Sequence, residues 1–458
     1  MNEYLAKWYE KNESRVRKLM NDIWHTPEVG LKEYKSCQIA AEFAKEMGFE
    51  VKTVAAEDFD NPNATPNTVI AKWGSGKPVI GFVGELDALP GLGQANVPYQ
   101  SLVEGPGHGC GHNTMAGCAA AGASALKYAM EQEGLTGTVY LVEAPAEEIG
   151  KGKSLLAKAG VFKGWDLALM WHPGVGNLCF SPAPMMVMYH VLFEFFGKLT
   201  HAASPQLPES RSALDAAQLM NIGCEFLREH VARDTWHHYC YRSAGEAPNI
   251  VPNYASVEYY FRALEDEPKV RDLTERAINV AKGAALMTGT EMKYTILSHV
   301  PQFFHTIPLN KLLYDASTEV PAFTYSEEDY QLAGELYKNT YGKTEVDVPR
   351  QQLLPTGVEP WSPEKIKNPG GTDCADMSYF CPTIHCRGLA RTPGADGHNW
   401  KVTFISGCAL GEKPAVYASK ILAQGAYDVL KNPKLLEECW AYYHSLNVPD
   451  YSTLEMTT

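Results

Sequence analysis

Four short apolar runs rich in β-branched residues, 68–73, 79–83, 138–142 and 167–171, punctuate the first part of the chain, and an Ala-rich stretch of helical character, 115–131, separates the second from the third. Runs of this length read as strands. Strands that alternate with helices bury their faces beneath helical layers, which points to an α/β fold with a mixed, mostly parallel sheet under helical cover. Further helices are expected at 3–24, where Leu5, Trp8, Val16, Leu19, Met20 and Ile23 recur at near-helical spacing before Pro27 breaks the pattern, at 34–47 with Gly48 as its stop, and at 415–430. The stretch 300–365 reads as mixed and loop-rich.

The pattern changes near residue 188. Residues 188–196 and 255–261 alternate as strands do, and 213–230 and 270–285 read as helices. This is the pattern of a smaller α+β domain, βαββαβ-like, inserted at 188–298 into a larger domain made of 1–187 and 299–458.

Composition narrows the partners. The chain has 458 residues, with 40 Lys plus Arg against 54 Asp plus Glu, a formal charge of −14. A general nucleic-acid or membrane-surface binder needs a basic face, so neither partner is expected. An anionic ligand would need a local cationic pocket. The 11 cysteines are odd in number and irregularly spaced, which argues against a disulfide framework. The opening MNEYLAKWYEKNESRVRKLM has no apolar signal region and no run approaches eighteen apolar residues, so a soluble cytoplasmic protein is expected.

Residue types that bind or activate metals gather in four segments flanked by turn formers: GELDALPG (84–91), GPGHGCGHN (105–113), EAPAEEIG (143–150) and MWHPG (170–174). The first, third and fourth follow expected strands, and ligands in open α/β sheets sit beyond the carboxyl ends of strands. His398, in GADGHNW, is a fifth candidate. Cys110 and His112 lie two apart among glycines that permit the bend needed to aim both at one point. A thiolate and an imidazole suit Zn²⁺ or another borderline divalent ion. Glu147 and Glu148 are adjacent after a strand and point in different directions, so one can hold a metal while the other handles a proton. Each piece taken singly is ordinary: a free cysteine, a loop or core-edge histidine, a solvated acidic strand end. Together they suggest two metals that polarise a carbonyl and activate water near neutral pH.

With IWHTPEVGLKE (23–33), GELDALPG, GHGCGHN, PAEEIGKGK (145–153), FGKLTHAASP and GGTDCADMS (370–378) spread along it, the chain resembles the two-metal aminoacylase/carboxypeptidase family of metallopeptidases, in the branch of amino-acid-conjugate amidohydrolases. GPGHGCGHN and the TDxxDxS stretch are most similar to the p-aminobenzoyl-glutamate hydrolase sub-branch. The resemblance implies that Cys110, His112, Glu148, His172 and His398 are the metal ligands, that Glu147 is the general base, and that Asp87 orients a ligand. It implies that His201, in the inserted domain, stabilises the oxyanion and usually reaches into a partner subunit's site. Asn249 and Arg262, 13 apart, match a pair that contacts substrate, and Gly370, Gly371, Thr372 and Asp373 shape the pocket floor. Two departures stand out. Glu85 occupies a position where many relatives carry a metal-binding histidine, with the cysteine taken to supply the missing ligand, and Asn113-Thr114-Met115 stands where many have Asp-x-His.

The activity implied is hydrolysis of the amide between an acyl or aroyl group and an amino acid, with two divalent ions, Mn²⁺ or Zn²⁺, in each subunit. The best single substrate is p-aminobenzoyl-glutamate. A dipeptidase or carboxypeptidase of the same family is the alternative within enzymes, and a non-catalytic binding subunit of a heteromeric hydrolase is the alternative outside them. A homodimer is expected, or assembly with a homologous second subunit.

Overall fold

The β-branched runs become strands longer than the runs themselves. In the computed structural model, which describes residues 1–203, 207–364 and 370–454, ten strands form two sheets. In chain order they are β1 (Glu50–Val54), β2 (Thr68–Ser75), β3 (Val79–Glu85), β4 (Gly137–Ala144), β5 (Leu167–Val175), β6 (Met186–Phe196), β7 (Thr235–Ser243), β8 (Tyr254–Leu264), β9 (Glu291–Val300) and β10 (Thr383–Arg391).

The chain separates into two units: Met1–Ala183 with Phe304–Ile366 and Cys374–Thr458, and Pro184–Phe303 with Lys367–Asp373. The first holds a sheet of order β1-β2-β4-β3-β5-β10. β4, β3, β5 and β10 are mutually parallel, whereas β2 runs antiparallel to both β4 and β1. The sheet is thus mixed and mostly parallel, and the carboxyl ends of four strands open on one side.

α1 (Glu3–Trp24) and α2 (Tyr34–Glu46) precede the sheet, and α3 (His112–Glu133) crosses from β3 to β4. Ala116, Gly117, Ala119, Ala120, Ala121 and Ala123 are buried in α3, and this lack of bulk lets it lie close against β3, β4 and β5 with α1 packed on it. Its first turn therefore stands at the open end of the sheet. A tight loop delivers the chain there. Gly111 precedes the helix at φ +93°, where an added Cβ would also meet Pro173 at 3.0 Å, and a Cβ on Gly107 would fall 2.0 Å from the Leu92 carbonyl oxygen. α4 (Gly152–Lys158) follows the turn after β4.

The second unit holds an antiparallel sheet of order β7-β8-β6-β9, with α5 (Ala213–Leu227) and α6 (Glu267–Thr288). Alternate residues of β6, Val187, Tyr189, Val191, Phe193 and Phe195, are buried, the two-residue period of a sheet covered on one face. Element order here is β-α-β-β-α-β.

The expectation of a loop-rich stretch over 300–365 needs correction, because α7 (Ile307–Glu319) and α8 (Glu327–Tyr341) form there. α7 buries Leu309, Leu312, Leu313 and Ala316 at helical spacing. α8 starts at a reciprocal cap, in which Ser326 accepts from the Asp329 N–H and Asp329 accepts from the Ser326 N–H. The four-residue α9 (Arg350–Leu353) follows, and after β10 come α10 (Trp400–Ser406), α11 (Ala409–Lys431) and α12 (Pro433–Ser445). Among the described residues no helix is long and apolar enough to cross a membrane. All eleven cysteines are free thiols.

Candidate metal centre

The open carboxyl ends of β3, β4 and β5 and the first turn of α3 bring the first unit's candidate side chains together. Cys110, His112 and His172 form one group whose ligand atoms all lie within 4.8 Å of one another, and Cys110, Glu148 and His398 form another on the same criterion. The two groups share Cys110, and between them hold every residue expected to be a ligand. A third group joins Glu85, His112 and Glu147.

Hydrogen bonds set which ring nitrogens face the centre. A carboxylate can only accept, so the 2.9 Å contact between His112 Nδ1 and Asp87 Oδ1 places a hydrogen on Nδ1 and turns Nε2 inward. His172 Nδ1 donates to the Pro173 carbonyl at 2.7 Å, leaving its Nε2 3.3 Å from Cys110 Sγ. Asp87 uses its other oxygen, Oδ2, to accept the Glu148 backbone N–H at 2.9 Å. One buried carboxylate thereby fixes both a histidine ring and the turn that carries Glu148.

The two adjacent glutamates fall in different groups. Ala146 takes a left-handed conformation at φ +55°, and a single turn of 3₁₀ helix follows over Glu147–Ile149. Glu148 stands 3.8 Å from His112 Nε2 and 3.4 Å from His398 Nε2, whereas Glu147 approaches His112 Nε2 at 3.9 Å from the side of Glu85. His172 is placed within β5 itself, because that strand runs on to Val175.

The electrostatics describe a site rich in negative charge. Glu85, Asp87, Glu147 and Glu148 converge on His112. Burial works against charge on His112, but Glu85, Cys110 and Asp87 outweigh it and hold the imidazole well above its ordinary value. Burial, opposed by His112 and reinforced by Asp87 and Glu85, pushes the Glu148 carboxyl up to about 7. Glu85 Oε2, His112 Nε2 and Glu148 Oε1 are buried and make no hydrogen bond among the described residues. Three orphaned ligand-type atoms facing one another are what divalent cations would satisfy, and a thiolate, imidazoles and carboxylates are a donor set for such ions.

Several participants were not visible in the sequence. Lys153, on α4, donates to Glu85 Oε1 at 2.6 Å, and both side chains are fully buried. Glu85, at the position noted for lacking a histidine, is thus half of an ion pair whose second oxygen lies 3.1 Å from His112 Nε2. His385 of β10 lies with its ring centre 5.5 Å from that of His172, and its ring is held neutral, its pKa lowered to about 3 by burial and then by Arg387, Lys153 and His305. Arg391, at the end of β10, donates to the Cys110 carbonyl. His108, inside the glycine-rich loop, binds the Ile23 carbonyl at 3.2 Å and serves the loop's packing.

The candidates of the inserted segment belong to the second unit. His201 is exposed, pairs with Ile250 in an isolated bridge, and accepts from the Ala203 N–H through Nδ1. The end of its motif, Ser204 and Pro205, lies outside the described residues. Asn249 is exposed, and its carbonyl accepts from Ala202. Arg262, on β8, stacks over Tyr260 at 5.0 Å and its buried Nε has no hydrogen-bond partner among the described residues. Gly370 is joined to Met185 and Met186, Gly371 lies against Met186, and Thr372 is buried.

Residues 81–402 match the description Peptidase family M20/M25/M40. The chain belongs to that family. It is 31% identical over 453 residues to one of the subunits of p-aminobenzoyl-glutamate hydrolase from Escherichia coli, covering 94% of this chain and 92% of that protein. It is 29% identical to the mouse Xaa-Arg dipeptidase, over 94% of this chain and 89% of the relative. Among solved structures, a dinuclear metal-binding peptidase of the M20 family from Bacillus subtilis superposes with a TM-score of 0.59 at 20% identity, over 92% of this chain and 99% of that one. Membership of the M20 family makes this chain a metal-dependent hydrolase of C–N amide bonds.

Proposed function

We propose that this M20 hydrolase cleaves the amide between an acyl or aroyl group and an amino acid, with p-aminobenzoyl-glutamate as its substrate. The observation that carries the reading is that the two neighbouring acids fall in different groups: Glu148 with Cys110 and His398, and Glu147 with Glu85 and His112. A hydrolase needs such a pair, one carboxylate to hold a cation and one to move a proton. The similarity to the Escherichia coli p-aminobenzoyl-glutamate hydrolase protein supports the substrate.

In this reading Cys110, His112, Glu148, His172 and His398 hold two divalent cations, Mn²⁺ or Zn²⁺, and Asp87 keeps His112 and the Glu148 turn in place. The cations supply Lewis acidity toward the scissile carbonyl and toward water. Glu147 accepts a proton from the attacking water and returns it to the leaving nitrogen. His201 stabilises negative charge on the carbonyl oxygen, and Asn249, Arg262, Gly371 and Thr372 contact the amino-acid half. The protein acts as a homodimer. Apolar side chains left exposed on the second unit support self-association: Phe226 on α5 is 72% exposed, and Leu286 and Met287 on α6 are 85% and 73% exposed.

The test is a screen of metal-replete protein against p-aminobenzoyl-glutamate, other N-acyl amino acids and dipeptides, with chromatographic detection of the released amino acid. Release of glutamate from p-aminobenzoyl-glutamate is expected. Release from dipeptides alone favours the second reading, which the similarity to an Xaa-Arg dipeptidase supports. If the chain alone is silent and becomes active only with a homologous partner, it is one component of a heteromeric hydrolase. Silence under every condition ends the proposal.

A further inference from the structure

β10 runs in register with β5 until Arg387 lies opposite His172, then slips, and pairing resumes with Ala390 opposite Gly174 and Arg391 opposite Val175. Three steps on β10 match two on β5, so one extra residue is inserted. Gly388, Leu389 and Ala390 all have positive φ, +129°, +60° and +59°. Side-chain-bearing residues rarely adopt that region, and two in succession mark a backbone held there by its surroundings. Bulges of this kind re-aim a side chain, and the residue re-aimed here is Arg391, which takes the register position that Ala390 would otherwise occupy.

The guanidinium arrives beside the metal centre. Arg391 Nη2 donates to the Cys110 carbonyl oxygen at 2.9 Å and lies 3.6 Å from Cys110 Sγ. Its charge is felt by His172 and His398 as well. Among the described residues its buried Nε has no hydrogen-bond partner and no carboxylate forms an ion pair with it. The nearby acids are engaged elsewhere: Glu85 with Lys153, Asp87 with His112 and the Glu148 N–H, Glu148 with His398. A half-buried guanidinium with part of its donor fork unused, inside a protein of charge −14, is a place prepared for an anion. Its planar fork suits a carboxylate.

We propose that Arg391 binds a carboxylate of the substrate's amino-acid half, so that the catalytic unit itself selects N-acyl amino acids with a free carboxylate over their carboxamides. The assignment rests on the amidohydrolase reading and adds a specificity residue on β10 of the first unit. p-Aminobenzoyl-glutamate offers an α- and a γ-carboxylate. The probes are therefore that compound, its α-carboxamide and its γ-carboxamide.

Binding is measured by calorimetry on metal-loaded protein in a Glu147→Gln background, which suppresses turnover, with Arg391 intact or changed to Gln or Lys. Metal content is measured on every variant. With Arg391 intact, the diacid is expected to bind at least about 30-fold more tightly than one of the two amides, and which amide suffers identifies the carboxylate. Arg391→Gln should erase that preference by weakening the diacid while moving the affected amide less than about threefold, and Arg391→Lys should fall between. A preference that survives Arg391→Gln overturns the proposal. So does an equal loss on acids and amides, which is the behaviour of an oxyanion stabiliser. Loss of metal from both variants overturns it too, since Arg391 would then serve only to hold the Cys110 loop, and so does failure to bind any of the three probes. The hydrolytic reading falls separately: preference lost with Arg391, in a protein that releases no amino acid with Glu147 restored, leaves this assignment standing and removes that one.

Discussion

Asp87 carries more of the metal centre than its absence from the ligand groups suggests. Burial by itself would raise its carboxyl, but the charge and hydrogen bond of His112, with the Glu148 N–H, outweigh that and hold it below its ordinary value. Asp87→Asn keeps the shape but puts an amide where a carboxylate accepts from two donors. Divalent-ion affinity, read by competition with a chromogenic chelator, should fall about 10–100-fold; an unchanged affinity would show that His112 is oriented by something else. Glu147→Gln should behave in the opposite way, with ion content near wild type by elemental analysis and turnover down by about 10²–10⁴. Near-normal turnover would remove Glu147 from the base role. At this scale the sequence was informative where chemistry sits in short turn-bounded words. Cys110 and His112 share one such word, and Glu147 and Glu148 share another. It was silent where a role arises from a distant partner. Lys153 lies within a quoted motif, yet its function depends on Glu85, 68 positions away, and Arg391 acquires its position from a register slip that no residue pattern announces.

Elements were legible in proportion to how much of their burial follows one period. α1 keeps a clean helical pattern and its expected bounds match those observed, whereas β3, buried almost throughout, was legible from its apolar run. α3 extends from His112 to Glu133, beyond the 115–131 stretch expected, because its buried Ala and Gly leave little contrast between faces and its start is set by Gly111. α8 was missed because its polar surface masks a modest buried stripe of Ala333, Leu336 and Tyr337, although Ser326 and Asp329 spell a capping box. That cap is also tied to α11, since Lys413 donates to Asp329 in a largely buried contact. Burial tends to raise the Asp329 carboxyl, but the Lys413 hydrogen bond and the Ser326 N–H prevail and leave it below its ordinary value. A carboxylate depressed on folding stabilises the protein fully above its unfolded value of about 3.9, and that stability is lost as the pH falls through the folded value. Asp329→Asn should therefore cost about 1.5–3 kcal/mol at neutral pH by denaturant titration. The gap to wild type should shrink below about pH 4. A gap independent of pH would assign the loss to packing instead.

Over the whole chain, the apolar period switches near residue 188, where strands flanked by helices give way to alternating strands with one buried face, and the second unit begins at Pro184. The small segment Lys367–Asp373 was not readable in this way: it is grouped with the second unit though 63 residues of the first, Phe304–Ile366, come between, and it carries Gly371 and Thr372 with it. The proposed function draws on residues that fall in different units, and the homodimer proposal assigns one of them to a different subunit. A mixing experiment separates these arrangements. Glu147→Ala protein lacks the base but keeps His201; His201→Ala protein lacks the histidine but keeps Glu147. If His201 of one subunit completes the partner's site, a mixed dimer contains one site with both residues intact and one with neither. Random exchange of equal amounts makes about half of the dimers mixed, so activity should recover to roughly a quarter of the wild-type value per total subunit, from a near-zero start in either parent. If His201 serves its own subunit, every site in every dimer lacks one residue, and no recovery occurs however complete the exchange. Mass spectrometry of isotopically distinguished subunits establishes that exchange has happened, which makes an inactive mixture as decisive as an active one.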